Sequence, residues 1–148
     1  MLLIAVGKLR AGPERALFDR YAVRLRPKLD VREISEAPGP GHEAKRREGA
    51  AILAAIPDGA LAVAMDLAGQ SMTSEAFAAR LTSWAEHPKP LVFMIGGAEG
   101  LSEPVLARAD YRLALGPLTW PHMIARVLLV EQLYRGQSIV AGHPYHRG

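Results

Sequence analysis

The sequence predicts an α/β fold with a mainly parallel sheet, formed by one domain that spans residues 1–148. Three observations predict it. Short strand-like runs alternate with helix-like stretches along the chain, which is typical of strand–helix–strand units. Two of the runs, LAVAM (61–65) and LVFMI (91–95), are almost entirely apolar, as strands are when both faces of a parallel sheet are covered. Finally, neither a long linker nor an internal repeat divides the 148 residues, so one core is expected.

Each element follows from a local pattern. Strands are predicted, in chain order, at 2–6, 31–35, 61–65, 91–95 and 111–115. Helices are predicted between them at 13–27, 43–56, 73–86, directly after Ser102, and at about 121–136. Pro13 suits the first turn of a helix, the PDG run at 57–59 ends the second helix, and Thr73 or Ser74 can begin the third. The APGPG run at 37–41 predicts a loop.

Composition excludes several classes of protein. The chain has no cysteine, which removes disulfides, thiolate nucleophiles and cysteine-ligated zinc. No apolar run approaches the roughly 20 residues of a membrane span. The first ten residues, MLLIAVGKLR, carry their charges last, whereas a signal peptide carries them first. We therefore expect a cytoplasmic protein that binds neither membrane nor metal.

The positive charge is concentrated in one part of the chain. Residues 1–47 carry eleven Lys and Arg against six acidic residues, whereas residues 48–148 carry seven against nine. A basic half suggests a polyanionic partner such as RNA. Helix faces that are merely Arg-rich and solvated would give the same distribution.

Three glycines follow the fourth predicted strand in LVFMIGGAEGLS (91–102). The spacing does not match the Gly-x-Gly-x-x-Gly dinucleotide motif, and no Gly-Lys-Ser/Thr sequence of a P-loop occurs. Glu99 would also repel a phosphate. Ligands of α/β sheets bind beyond the carboxyl ends of strands, so this turn suits a nucleoside without phosphates, such as S-adenosylmethionine. A tight turn with no ligand is the alternative.

A stiff loop, GPLTWPH (116–122), follows the fifth predicted strand, and its prolines restrict the backbone. It could form a second wall of the same pocket or simply connect a strand to a helix. The helix that follows is apolar around most of its circumference, so it must be buried on two sides, within the fold or in a homodimer. Glu131 and Arg135 are spaced to form an ion pair. Arg126 stands among apolar residues and needs a partner or a function.

The last residues, GHPYHRG, combine two imidazoles, a phenol and a guanidinium. These groups can stack on bases, bind phosphate or exchange a proton near neutral pH. His143, Tyr145 and His146 are therefore candidate catalytic residues, and Arg147 is a candidate phosphate contact. A tail that is held only by packing of Tyr145 is the alternative. His143 and His146 have no third metal ligand near them in the sequence.

Three motifs carry a resemblance to a known family: IGGAEGLS (95–102), LTWPHMIARVLLVEQLYR (118–135) and HPYHR (143–147). Together they resemble the RlmH family, SPOUT-class methyltransferases that methylate N3 of a pseudouridine in 23S ribosomal RNA. The resemblance covers the whole chain. It implies a C-terminal trefoil knot, a homodimer, and S-adenosylmethionine as the cofactor.

The resemblance also implies which residues bind the cofactor. They are a strand end, the glycine turn and the stiff loop: Met65, Gly96, Gly97, Leu115, Gly116, Pro117, Leu118, Thr119 and Trp120. For the RNA substrate, we expect contacts from Arg126, Arg147, Lys45, Arg46 and Arg47. The 37–42 loop reads APGPGH here, where many relatives are expected to carry Lys or Arg, and the charge follows instead at 45–47.

The expected reaction is methyl transfer to a ring nitrogen, which requires alignment of the reacting atoms and removal of a proton. The absence of cysteine agrees with methylation at nitrogen, which needs no thiolate adduct. Because the chain has no separate RNA-binding domain, the substrate is expected to be a large folded RNA, such as that of the assembled ribosome. Two alternatives remain open: a methyltransferase of the same class that acts on transfer RNA, and a non-catalytic RNA-binding protein.

Overall fold

The protein is described here by a computed structural model, which covers residues 1–147. These residues form five strands: β1 (Leu2–Val6), β2 (Asp30–Ile34), β3 (Leu61–Gln70), β4 (Leu91–Ile95) and β5 (Tyr111–Leu113). They also form five helices: α1 (Pro13–Ala22), α2 (Gly41–Ala55), α3 (Ser74–Ala85), α4 (Glu103–Arg108) and α5 (His122–Val140). The strands make one parallel sheet in the order β2-β1-β4-β3-β5. The predicted α/β fold with a parallel sheet is confirmed.

The helices cover both faces of the sheet. α1, α3 and α5 pack on one face around a core that includes Phe18, Phe77, Trp84 and Phe93. α2 and α4 pack on the other face around Ile52, Met94 and Val105. β4 is buried along its whole length, which accounts for its continuous apolar sequence.

The predicted bounds of two strands are wrong at the edge of the sheet. β3 was expected to end at residue 65, but it continues to Gln70 after an irregularity, because Met65 and Gln70 both lie opposite Leu113 of β5. Gly69 occupies this irregularity, where a Cβ atom would lie 2.7 Å from the backbone of Arg112. β5 ends at Leu113 rather than at residue 115.

Two helices also differ from the prediction. α1 ends at Ala22 rather than at residue 27, since Pro27 disfavours helical geometry in the residue before it and the chain closes in tight turns after Ala22. α5 continues past Gly136 to Val140. A Cβ atom on Gly136 would lie 2.7 Å from Leu81 Cδ1, so this glycine allows close packing of α5 on α3 instead of ending the helix.

The parallel sheet fixes where a ligand can bind. All five strands run in one direction, so the glycine turn, Gly7 and Met65 lie at or near the carboxyl ends of the strands. The connection after β1 leads to one side of the sheet, and the connection after β4 leads to the other side. Ligands of open α/β sheets bind near such a topological switch point. The trefoil knot stays a prediction. Within residues 1–147, no helix is both long and apolar enough to cross a membrane.

Candidate active site

A cavity of about 310 Å³ opens at the carboxyl edge of the sheet, between the ends of β3, β4 and β5 and the start of α5. We call it the glycine-turn cavity. It brings together eight of the nine residues that the resemblance assigned to the cofactor: Met65, Gly96, Gly97, Leu115, Gly116, Leu118, Thr119 and Trp120. Pro117 belongs to the same loop but does not line the cavity.

The glycine turn (residues 96–100) forms one wall, and its close backbone approaches require glycine. A Cβ atom on Gly96 would lie 2.4 Å from the carbonyl carbon of Gly100, which no side chain can accommodate. Gly100 adopts a φ of 74°, in the left-handed region that glycine enters readily. Its backbone N–H donates to the carbonyl of Gly97 at 3.0 Å. At its glycines the turn therefore presents backbone to the cavity, and Ala98 and Glu99 of the turn also line it.

A carboxylate supports this wall from behind. Glu48 of α2 is only 7% exposed, and its Oε1 accepts a hydrogen bond from the backbone N–H of Ala37 at 3.0 Å. Its Oε2 lies where a Cβ atom on Gly97 would come within 2.9 Å. Glu48 thus packs against the glycine turn while it holds the loop that follows β2.

The second wall is the loop from Leu115 to Trp120. The indole Nε1 of Trp120 donates to the carbonyl oxygen of Leu115 at 3.1 Å, which closes the loop on itself. Leu67, Leu118 and Trp120 are large apolar residues that remain 53%, 66% and 41% exposed. They mark an uncovered apolar surface at the mouth of the cavity.

The cavity also contains groups that the sequence analysis did not select. Asp66 and Glu99 give it an acidic lining, and His122 lies at the start of α5. A signal was available for His122, because it directly follows Pro121 in a loop that had already been assigned to the pocket. The arrangement of a glycine backbone, acidic groups and no lysine or arginine in the lining fits a cationic nucleoside without phosphates.

Arg126 has a structural position, so the expected RNA contact is wrong for this residue. Its side chain is 1% exposed, and it donates to the carbonyls of Val6 and Gly7 and, at 3.2 Å, to Glu33 Oε1. Burial lowers the pKa of Arg126 from its ordinary value, and the charge of Glu33 opposes that shift. The guanidinium joins α5 to the end of β1 and cannot reach a nucleic acid in this conformation.

The tail packs on the helical face of the same chain. The hydroxyl of Tyr145 donates to Glu131 Oε1 at 2.8 Å, and Nε2 of His146 lies 2.8 Å from Glu75 Oε1. The predicted ion pair of Arg135 with Glu131 is present at 2.5 Å. The hydrogen bond that Arg135 donates to Glu131 raises the pKa of Arg135. His143, Tyr145 and His146 do not line the glycine-turn cavity. Within one chain, the structure therefore does not bring these candidate catalytic residues to the expected cofactor-binding residues.

The remaining RNA candidates lie on the surface. Arg46 and Arg47 of α2 are exposed, while Lys45 is partly buried. Arg47 pairs with Glu43 at 3.2 Å on the same helix. Arg147 is exposed near the end of the described chain. Among residues 1–147, no cluster of three or more His, Asp and Glu side chains is placed to hold a metal ion.

Comparison with known proteins shows the family of the chain. The model of the family described as predicted SPOUT methyltransferase matches residues 1–146, and the chain belongs to this family. The ribosomal RNA large subunit methyltransferase H of Gluconacetobacter diazotrophicus is 56% identical over 147 residues, which cover 99% of this chain and 97% of that protein. The protein of the same name from Rhodospirillum centenum is 51% identical over 147 residues, or 98% of this chain and 97% of that protein. The resemblance to the RlmH family is thereby confirmed.

Solved structures support the fold. A probable methylase family protein from Haemophilus influenzae Rd KW20 matches with a TM-score of 0.58 at 9% identity, over 99% of this chain and 70% of that one. TrmJ from Z. mobilis ZM4 matches with a TM-score of 0.56 at 18% identity, over 93% of this chain and 70% of that one. At these identities, the likeness concerns the fold alone.

Proposed function

We propose that the protein is a cytoplasmic methyltransferase that uses S-adenosylmethionine to methylate N3 of a pseudouridine in the 23S RNA of the large ribosomal subunit. The observation that carries the proposal is the glycine-turn cavity, which combines eight of the nine expected cofactor residues in one place. Family membership and relatives named for large-subunit ribosomal RNA support the reaction and the substrate class.

The cavity supports the choice of cofactor. S-adenosylmethionine, when bound, supplies a methyl carbon made electrophilic by its positive sulfur. Asp66 and Glu99 give the lining two acidic groups, which favour a cationic ligand. Backbone groups of the glycine turn and of the Leu115–Trp120 loop would hold the nucleoside by hydrogen bonds, while Met65 and Leu118 would contact its apolar surface. Holding the methyl group in line with the attacking nitrogen is then the main task of these walls.

The surface supports a large RNA substrate. Arg46, Arg47 and Arg147 are exposed and could contact phosphates. Such scattered contacts position an RNA but do not read its sequence, so a folded target such as the 70S ribosome is the proposed substrate. Arg126 is left out of this set because it is buried.

The proposed assembly is a homodimer. Leu67, Leu118 and Trp120 expose apolar surface beside the cavity, and several apolar residues on one side of α5 are only partly buried. A second copy that covers this surface would also bring another tail close to the cavity. The catalytic candidates His143, Tyr145 and His146 could then serve the site of the other protomer.

One experiment tests the reaction. The protein is incubated with tritiated S-adenosylmethionine and with 70S ribosomes, free 50S subunits or naked 23S RNA that lack the modification, and the label is mapped by mass spectrometry. Label on N3 of one pseudouridine, strongest with 70S ribosomes, is expected. Label on transfer RNA instead would favour the first alternative, and cofactor binding with no label on any RNA would refute the proposed substrate.

A simpler measurement addresses the non-catalytic alternative. A cofactor that binds only the folded state raises the melting temperature with its concentration. We expect such a shift with S-adenosylmethionine and with its demethylated product. A protein that only binds RNA would show no shift with either compound.

A further inference from the structure

His122 lines the glycine-turn cavity. A second cavity, of about 590 Å³, lies at the carboxyl ends of β1 and β2. Its charged lining is balanced, with Lys8 and Arg10 against Glu14 and Glu36. His122 does not line this second cavity, and Glu36 is the lining residue that lies close to it.

Glu36 and His122 lie close to each other beside the end of β1. Nε2 of His122 is buried without a hydrogen-bond partner among residues 1–147, and it lies 3.8 Å from Glu36 Oε1. Gly7 makes room for both groups. A Cβ atom at this position would lie 2.7 Å from Glu36 Oε1 and 3.3 Å from His122 Nε2. A small movement of the 64% exposed Glu36 side chain would complete the hydrogen bond, as often occurs when a substrate binds.

We propose that His122 accepts the N3 proton of the target base and that Glu36 is the positioning residue that orients its ring. This inference rests on the proposed methylation. The base gives its N3 proton to His122, and its N3 electron pair forms the new bond to the methyl carbon. The electrons of the broken carbon–sulfur bond stay on the sulfur, which becomes neutral. With the proton of the neutral ring held on Nε2 toward Glu36, Nδ1 is the nitrogen that accepts.

His122 fits this role better than the terminal histidines of the same chain. His146 is engaged with Glu75 and Arg135, and neither His143 nor His146 lines the cavity. The charged groups around His122 come from several elements. Acidic groups are Glu14, Glu36, Asp66 and Glu99, and basic groups are Lys8, Arg10 and Arg126.

The first test needs no catalysis. In the full chain labelled with ¹⁵N-histidine, NMR reports which ring nitrogen of each imidazole carries the proton. We expect neutral His122 to carry its proton on Nε2 in wild type and to lose this preference in Glu36→Gln, while His87, at the other end of the sheet, is the same in both proteins. The same distribution of the His122 ring proton in wild type and Glu36→Gln would overturn the role of Glu36.

The second test measures methyl transfer in a single turnover on 70S ribosomes that lack the modification, together with the calorimetric affinity for S-adenosylmethionine. We expect His122→Gln to slow transfer about 100-fold or more, with cofactor affinity changed less than about 3-fold. Glu36→Gln should slow transfer about 10-fold, which is less than the roughly 100-fold or more expected for a group that itself transfers the proton. His87→Gln is the matched control and should behave as wild type. The wild-type rate should level off as pH rises, whereas that of His122→Gln should keep rising.

Each outcome has a distinct meaning. A methyl-transfer rate in His122→Gln within about 3-fold of wild type would refute the role of His122 as the base. A loss of affinity for S-adenosylmethionine that matches the loss of rate would make His122 a cofactor contact instead. If wild type binds the cofactor but labels no ribosomal RNA, the proposed function itself fails. If His122→Gln does not fold, the Glu36→Gln variant tests the proposal, because Glu36 is exposed. An unchanged rate and pH profile in Glu36→Gln would then overturn the proposal.

Discussion

Glu48 Oε1 accepts a hydrogen bond from the backbone N–H of Ala37 at 3.0 Å, so a nearly buried carboxylate on α2 fixes the loop after β2. The same side chain packs against Gly97. The glycine turn and the loop that carries Glu36 are therefore positioned by one residue that does not line the glycine-turn cavity.

Replacement of Glu48 should destabilise the fold. In Glu48→Ala, the Ala37 N–H loses its charged acceptor, and a lower free energy of unfolding by about 2–3 kcal/mol is expected. Glu48→Gln retains an acceptor oxygen and should cost about 1 kcal/mol. Urea unfolding followed by circular dichroism measures both. Glu43→Ala on the exposed side of α2 is the control, because its surface pair with Arg47 is worth less than about 1 kcal/mol. Equal losses at positions 43 and 48 would contradict the assignment.

Arg126 should matter for stability rather than for RNA binding. Arg126→Met leaves two backbone carbonyls without the guanidinium donor and Glu33 without its ion-pair partner, and loss of one member of a buried pair costs about 3–5 kcal/mol. Guanidinium chloride unfolding would show this loss. Arg15→Met breaks an exposed pair with Asp19 and should cost less than about 1 kcal/mol. A stable Arg126→Met protein with weakened ribosome binding would show that the residue does contact RNA.

Substitution in the glycine turn should abolish cofactor binding. A Cβ atom on Gly96 would meet the backbone of Gly100 at 2.4 Å, so Gly96→Ala must distort the cavity wall. We expect calorimetry to detect at least a tenfold loss of affinity for S-adenosylmethionine, which corresponds to about 1.4 kcal/mol. Gly142→Ala is the control for general destabilisation, because the positive φ of Gly142 strains an alanine but no atom lies within 4 Å of the added carbon, and Gly142 does not line the cavity. Affinity that falls equally in both variants would point to general destabilisation.

The indole of Trp120 should be important for the shape of the second wall. Trp120→Phe keeps an aromatic ring but removes the hydrogen bond to the Leu115 carbonyl, which is worth about 0.5–1.5 kcal/mol. Cofactor affinity should fall roughly 2- to 12-fold, the same energy expressed as binding. Leu17→Ala, at an exposed site on α1, should leave it unchanged. Wild-type affinity in Trp120→Phe would show that closure of the loop is not needed for binding.

The contribution of Tyr145 to the stability of the fold should decrease at alkaline pH. Burial, followed by hydrogen bonds with Tyr21 and Glu131, raises the pKa of Tyr145 above its ordinary value of 10.0. The folded state therefore holds this proton more tightly than the unfolded chain, and stability falls with pH once unfolded tyrosine ionises. The stability difference between wild type and Tyr145→Phe should be constant below about pH 9 and shrink above about pH 10. A difference that stays constant to pH 11 would contradict the buried position of the hydroxyl.

The sequence predicted those parts of the fold that depend on local pattern. β1 and β4 have the expected bounds because continuous apolar runs mark strands that are covered on both faces. The end of α5 was missed because it depends on packing against a neighbouring helix. Gly136 looks like a stop signal in the sequence, but its lack of a side chain serves the contact with Leu81 of α3.

The site too was predicted only in part. Glycine and proline in the sequence indicate turns and loops whose backbone can line a cavity, so both walls could be proposed. The sequence contains no comparable signal for the partners of a charged side chain. Nothing in the sequence pairs Arg126 with Val6, Gly7 and Glu33, or His122 with Glu36, because these contacts join residues that are brought together only when α5 packs at the end of β1.

The bond from Arg126 to the carbonyl of Val6 spans 120 residues, nearly the length of the chain. During synthesis, β1 leaves the ribosome well before α5. Until then the carbonyls at the end of β1 have only water as a partner, and the sheet face that α5 covers stays exposed. Contacts so distant in sequence form late, so a nascent chain can assemble α2 and its strands but must complete this edge of the sheet after translation of α5.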